Sequence, residues 1–140
     1  IFSKFHPYVL ILRRNHLDRY ISLKKANISG KWHAVDSSNT QIEVVEHELN
    51  KYISNYVDWY SEVKKSAMAN HCQIMDIEFD QLRDSETTTK IQEFVSMDSF
   101  GIDKLPKLPT TTKMDKSSKL QEEYLAKVNK TYSDFDFVSI

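Results

Sequence analysis

The run Tyr8-Val9-Leu10-Ile11-Leu12-Arg13-Arg14-Asn15-His16-Leu17-Asp18-Arg19-Tyr20-Ile21-Ser22 changes character sharply near its middle. Its first five residues, opened by Pro7, are continuously aliphatic or aromatic, which suits a strand buried on both faces, as in a parallel sheet. Arg13-Arg14-Asn15 ends that strand. Asn15 then has the side chain of a helix N-cap, and Asp18 three residues on resembles the second half of a capping box. Leu17, Tyr20, Ile21 and Leu23 cluster on one side of the helix that follows, and Gly30 stands where a stop is expected.

Working outward, residues 31 to 41 are polar and loop-like apart from Trp32. Ile42, Val45, Leu49, Tyr52, Ile53, Tyr56, Tyr60 and Val63 then recur at helical spacing over about 25 residues. Asn70 marks a break, and Cys72 to Phe79 reads as a second buried strand. A helix is expected over 84–96, an irregular segment over 99–118 around Gly101, Pro106 and Pro109, and a last helix over 117–132. The aromatic tail from Tyr132 is expected to pack back on the body.

This order predicts an α/β chain with a parallel sheet and flanking helices, read as one partial domain spanning residues 1–140. Two strands make a poor sheet alone, so further strands are expected from an N-terminal region or a companion chain.

Composition narrows the function classes. The 140 residues carry a formal charge of −1, so no bulk electrostatic attraction to nucleic acid is expected. No apolar run reaches the roughly 20 residues of a membrane span. Cys72 is the sole cysteine, and no His pair has i+3 or i+4 ligand spacing, so no metal site is expected. Gly30 and Gly101 are the only glycines, which leaves no material for a Gly-rich phosphate loop.

The chemistry concentrates after the first strand. Open α/β sheets bind ligands at the carboxyl ends of their strands, where Arg14 is expected. A helix start favours anions through its free N–H groups and its dipole. Ser22 lies seven residues past Asn15, about two turns along. A planar guanidinium and a short hydroxyl at those positions describe a phosphate pocket.

Arg14 and Ser22, eight apart across a strand–helix junction, resemble the 3′-phosphate-binding motif of the PAPS-dependent sulfotransferases. The wider string LRRNHLDRYISLKKA, continued by Gly30-Lys31-Trp32-His33, is most similar to the bacterial Nod-factor and trehalose sulfotransferase-like branch. The resemblance implies a P-loop-NTPase-like fold lacking, in this chain, its N-terminal strand–P-loop–helix unit. It implies PAPS as donor and a hydroxyl acceptor, a carbohydrate by branch, without a metal. Arg14 and Ser22 would grip the nucleotide, with Arg13, Arg19 and Lys113 as further candidates. Trp32 and His33 would line the adenine or acceptor side, and the catalytic base is expected upstream. Glu78-Phe79-Asp80 departs from the family's Tyr-Glu turn. That departure and the missing loop leave open a non-catalytic, structural relative of the same fold.

Other features have ordinary readings. Tyr52, Tyr56, Trp59 and Tyr60 are expected in core packing rather than as a sugar or base platform, with Trp59 off the main stripe. Asp76, Glu78 and Asp80 are expected as turn and cap carboxylates.

Overall fold

A computed structural model describes residues 2–5, 7–30, 41–95 and 117–136. In chain order it has a single helical turn α1 (Phe2–Phe5), strand β1 (Val9–Arg13), helix α2 (His16–Ser29) and helix α3 (Glu46–Ala69). Strand β2 (Ile74–Glu78), a 3₁₀ turn (Phe79–Arg83), α4 (Ser85–Phe94), α5 (Ser117–Val128) and a 3₁₀ turn (Tyr132–Phe135) follow. The architecture is α/β with a two-stranded parallel sheet, in register from Val9 opposite Ile74 to Arg13 opposite Glu78.

The described residues fall into two compact units, one from Ile1–Arg13 and Asp58–Thr110, the other from Arg14–Val57 and Thr111–Ile140. The division runs between Arg13 and Arg14 and again inside α3.

The first unit holds the sheet. Ile11 and Ile77 are buried, as are Tyr60 and Ala67 from the second half of α3. The Tyr60 hydroxyl donates to the Leu12 carbonyl at 2.9 Å, and Lys64 pairs with Asp76 at 3.3 Å. These contacts join the helix to both strands. After Ala69 the chain turns through His71 at φ 56, a left-handed residue that ends the helix. Cys72 N–H then returns to the Ala67 carbonyl at 2.9 Å.

β1 departs from the two-sided burial expected of it. Ile11 is 4% exposed, whereas Leu10 and Leu12 are 44% and 39% exposed. Successive side chains alternate across a strand, so this is the signature of a sheet covered on one face. A continuous apolar run in sequence reports what a strand could bury, not which of its faces is covered.

The second unit is a helical cluster. Leu17, Tyr20 and Ile21 of α2, Val44, Leu49, Tyr124 and Phe135 form its core, with Ile53 and Leu120 packed against it. The α3 residues in it keep the spacing read from sequence, but the helix begins at Glu46, not Ile42. Val44 is buried just ahead of the first turn. The apolar pattern therefore starts before the helix does. Phe135 brings the C-terminal turn into the core, as expected of the tail. Among the described residues no helix is long and apolar enough to cross a membrane.

Candidate functional site

Asn15 organises the start of α2. Its Oδ1 accepts from the N–H groups of Leu17 at 3.0 Å and Asp18 at 3.4 Å. Two of the helix's otherwise unsatisfied donors are thereby held. Its Nδ2 donates to the Tyr132 carbonyl at 3.0 Å and to Asp136 Oδ1 at 2.9 Å. One amide thus caps the helix and anchors the C-terminal turn.

Asp18 completes that anchor rather than a capping box. Its Oδ2 accepts from the Tyr132 hydroxyl at 2.6 Å, and its Oδ1 accepts a short bond from Gln121 Nε2. Sequence reasoning foresaw a local role for Asp18. The partners it found lie more than a hundred residues away, where no local pattern points.

Of the two residues most expected to hold phosphate, Arg14 is half-buried in the two-residue connection before α2, and Ser22 is exposed on the helix. Asn15, Asp18 and Ser22 are spaced three and then four residues apart, so they share one flank. Both Arg14 and Ser22 belong to the second unit.

The lower-ranked candidates are engaged elsewhere. Arg13, in the first unit, pairs with Glu78 at 3.4 Å. Arg19 donates from Nε to the Tyr52 hydroxyl at 2.8 Å and lays its guanidinium over the Tyr56 ring. Its Nη2 is buried with no hydrogen-bond partner. Aromatic faces attract a guanidinium, so these contacts tie Arg19 into the α2–α3 packing. Trp32, His33 and Lys113 lie outside the described residues.

His16 is the first residue of α2 and is only 2% exposed. Burial, and then the nearby Arg19 charge, lower its pKa from 6.5 to about 4, against a smaller opposing pull from Asp136. The ring packs edge-on to Tyr56, with centroids 6.0 Å apart. It is a neutral core imidazole at neutral pH. No group of His, Cys, Asp and Glu among the described residues could hold a metal ion.

The acidic strand end resolves into structural roles. Asp76 and Glu78 take the ion pairs with Lys64 and Arg13. Glu78 N–H donates to the Gln81 side chain at 3.3 Å, tying down the turn after β2. Trp59 is 55% exposed, as its place off the stripe predicts.

No protein-family model, no curated protein and no solved structure matches this chain.

Proposed function

We propose that this chain forms the 3′-phosphate-binding part of a PAPS-dependent sulfotransferase of P-loop-like fold, with a carbohydrate hydroxyl as acceptor. The observation that carries the reading is the order at the first junction. A parallel strand ends, Arg14 follows, and Asn15 caps a helix bearing an exposed Ser22 on the same flank as the cap.

The fit to a phosphate is chemical. The guanidinium supplies a charged fork of donors, and the hydroxyl a short donor. The helix start adds a positive dipole end. Asp18 stands nearby, but its two oxygens already accept from Tyr132 and Gln121. When PAPS binds, the acceptor oxygen forms a bond to sulfur as the bond from sulfur to the 5′-phosphate oxygen breaks. The acceptor proton passes to a base, and 3′-phosphoadenosine 5′-phosphate leaves. In this scheme the residues of this chain bind and orient the nucleotide. An N-terminal region or companion chain supplies the grip on the 5′ side.

Calorimetry of the full chain with 3′-phosphoadenosine 5′-phosphate tests the reading. Arg14→Ala removes a charged hydrogen-bond donor, so affinity should fall about 10- to 100-fold, and Ser22→Ala should weaken it less. No heat of binding with the intact chain, or equal binding by Arg14→Ala, would sink the assignment. With only Gly30 and Gly101 in the chain, a non-catalytic sulfotransferase-like subunit is the second reading. It is distinguished by nucleotide binding that never yields sulfuryl transfer once an upstream Gly-rich region is joined.

A further inference from the structure

The two edges of the parallel sheet in the first unit are unalike. Val9 N–H donates to the Gln73 carbonyl at 2.9 Å, so Val9, Ile11 and Arg13 turn their main-chain groups towards β2. Tyr8, Leu10 and Leu12 turn theirs outward. By the same register β2 presents Ile74, Asp76 and Glu78 along its own outer edge. Asp76 and Glu78 are carboxylates, paired with Lys64 and Arg13. Charged side chains are an ordinary protection of an edge strand, and the outward residues of β1 carry none.

The side chains on that edge are exposed as well. Tyr8 is 45% exposed, much as Leu10 and Leu12 are, and the three alternate along β1, so they share one face. No charge, proline or glycine interrupts residues 8–12. The Tyr8 ring is already placed, edge-on to Phe94 with centroids 5.4 Å apart. The main-chain groups that face outward are the Tyr8 carbonyl and the N–H and C=O of Leu10 and Leu12. Among the described residues only the Leu12 carbonyl is engaged, by the Tyr60 hydroxyl at 2.9 Å. An exposed apolar edge with open main-chain groups is a template for another extended chain.

The engaged carbonyl selects the partner and its register. Suppose an antiparallel strand sets its own Leu10 opposite Leu10. The two leucines then exchange a pair of N–H···O=C bonds, and each Leu12 N–H reaches the Tyr8 carbonyl of the other chain. Every bond in that set avoids the Leu12 carbonyl. On the exposed face Leu10 then opposes Leu10, and Leu12 opposes Tyr8, which are apolar cross-strand pairs of the stabilising kind. On the other face Val9 opposes Ile11, and Arg13 falls opposite Pro7, so no like charges meet. The strand is its own complement. The formal charge of −1 on the whole chain sets little repulsion against such a pairing.

We infer that β1 pairs edge to edge with β1 of a second copy of this chain, antiparallel about a twofold axis at Leu10. The contact is isologous and therefore closed. One sheet then runs β2–β1–β1–β2, and the acidic outer edges of β2 form both of its margins, where charge opposes further growth. The pairing uses neither Arg14 nor Ser22. It stands on the sheet edge alone, whatever nucleotide the chain binds.

Sedimentation equilibrium of the full chain from about 10 µM to about 1 mM covers the range in which so small a contact associates. The average mass should rise from one chain towards two. Leu10→Lys sets two ammonium groups against each other at the axis and should weaken association at least about tenfold. Because Leu10 is 44% exposed, the same variant should keep the parent's circular dichroism, and Leu10→Ile should keep the dimer. Hydrogen exchange reads the edge itself. The Leu10 and Leu12 amides should exchange about tenfold more slowly at the top of the concentration range than at the bottom, whereas the Ile11 amide is protected throughout. A single-chain mass at the highest concentration, or a dimer that Leu10→Lys leaves intact, overturns the inference. Leu10 and Leu12 amides protected equally at every concentration overturn it too, because the chain would then cover its own edge. If joining an upstream region protects those amides and abolishes the dimer, the edge belongs to a strand of that region and the second copy is overturned as its partner.

Discussion

His16 should make this fold sensitive to mild acid, and the effect can be sized. The imidazole is 2% exposed, and its pKa is lowered from 6.5 to about 4 by burial first and Arg19 second. Protons therefore bind the unfolded chain more readily than the folded one. Stability from the neutral ring is fully present above pH 6.5 and is lost as the pH falls towards 4. The whole gap is worth about 3 kcal/mol, and the part lost between pH 7.5 and pH 5 is about 2 kcal/mol. That is a large share of the stability of an ordinary domain. Equilibrium urea unfolding followed by circular dichroism at the two pH values measures the loss, expected as a midpoint lower by about 1 M at pH 5. The same experiment on His16→Phe, which keeps an aromatic ring against Tyr56, cancels every other titrating group in the difference. If Phe overpacks the site, His16→Leu serves instead. The variant should lose about 2 kcal/mol less than the parent over the same interval. Equal losses in parent and variant, or an imidazole that titrates near 6.5 by NMR, would refute the reasoning.

Two further substitutions probe the frame of the site. Asn15→Ala removes both cap bonds on α2 and both tethers to the C-terminal turn. It should cost about 2 kcal/mol in urea unfolding, whereas Asn15→Ser, which keeps a cap acceptor and places no charge against Asp136, should cost less. Tyr60→Phe deletes only the hydroxyl that donates to the Leu12 carbonyl. Its expected cost is about 1 kcal/mol by the same assay, with the parallel pairing of β1 and β2 intact by NMR.

What the sequence disclosed follows the range of the forces involved. Asn15 and Gly30 were legible because a cap acts within four residues. The side-chain acceptor bonds Leu17 and Asp18, and the glycine at φ 67 takes the left-handed conformation that stops the helix. The parallel order of the strands was legible too, since helices separate them along the chain. The bounds of α3 were not. Val44, ahead of the helix, is buried as Leu49 within it is, so hydrophobicity alone cannot say where helix replaces extended chain. At its other end, α3 runs on to Ala69 until His71 turns left-handed. The partners of Arg19 were out of reach for a related reason. The resemblance made it a further candidate for the nucleotide, whereas the structure sets it against two tyrosines a further 33 and 37 residues along.

The start of α2 shows why a short motif can be read locally and still leave its setting open. Arg14, Asn15 and Ser22 fit a phosphate by their own chemistry, within nine residues. The groups that decide how negative that setting is come from the far end of the chain. Asp136 accepts from the Asn15 amide, and Tyr132 and Gln121 occupy the oxygens of Asp18. If the motif holds a phosphate, Asp136 is a fixed carboxylate at the start of the same helix, already accepting from the Asn15 amide. Asp136→Asn keeps a carbonyl oxygen for the Asn15 bond while deleting the charge. Under the proposed function it should therefore tighten binding of 3′-phosphoadenosine 5′-phosphate, by about two- to tenfold at low salt and by less as ionic strength rises. Calorimetry at two salt concentrations reads both effects. Weaker binding by Asp136→Asn at low salt would mean that the carboxylate supports the nucleotide site rather than opposing it.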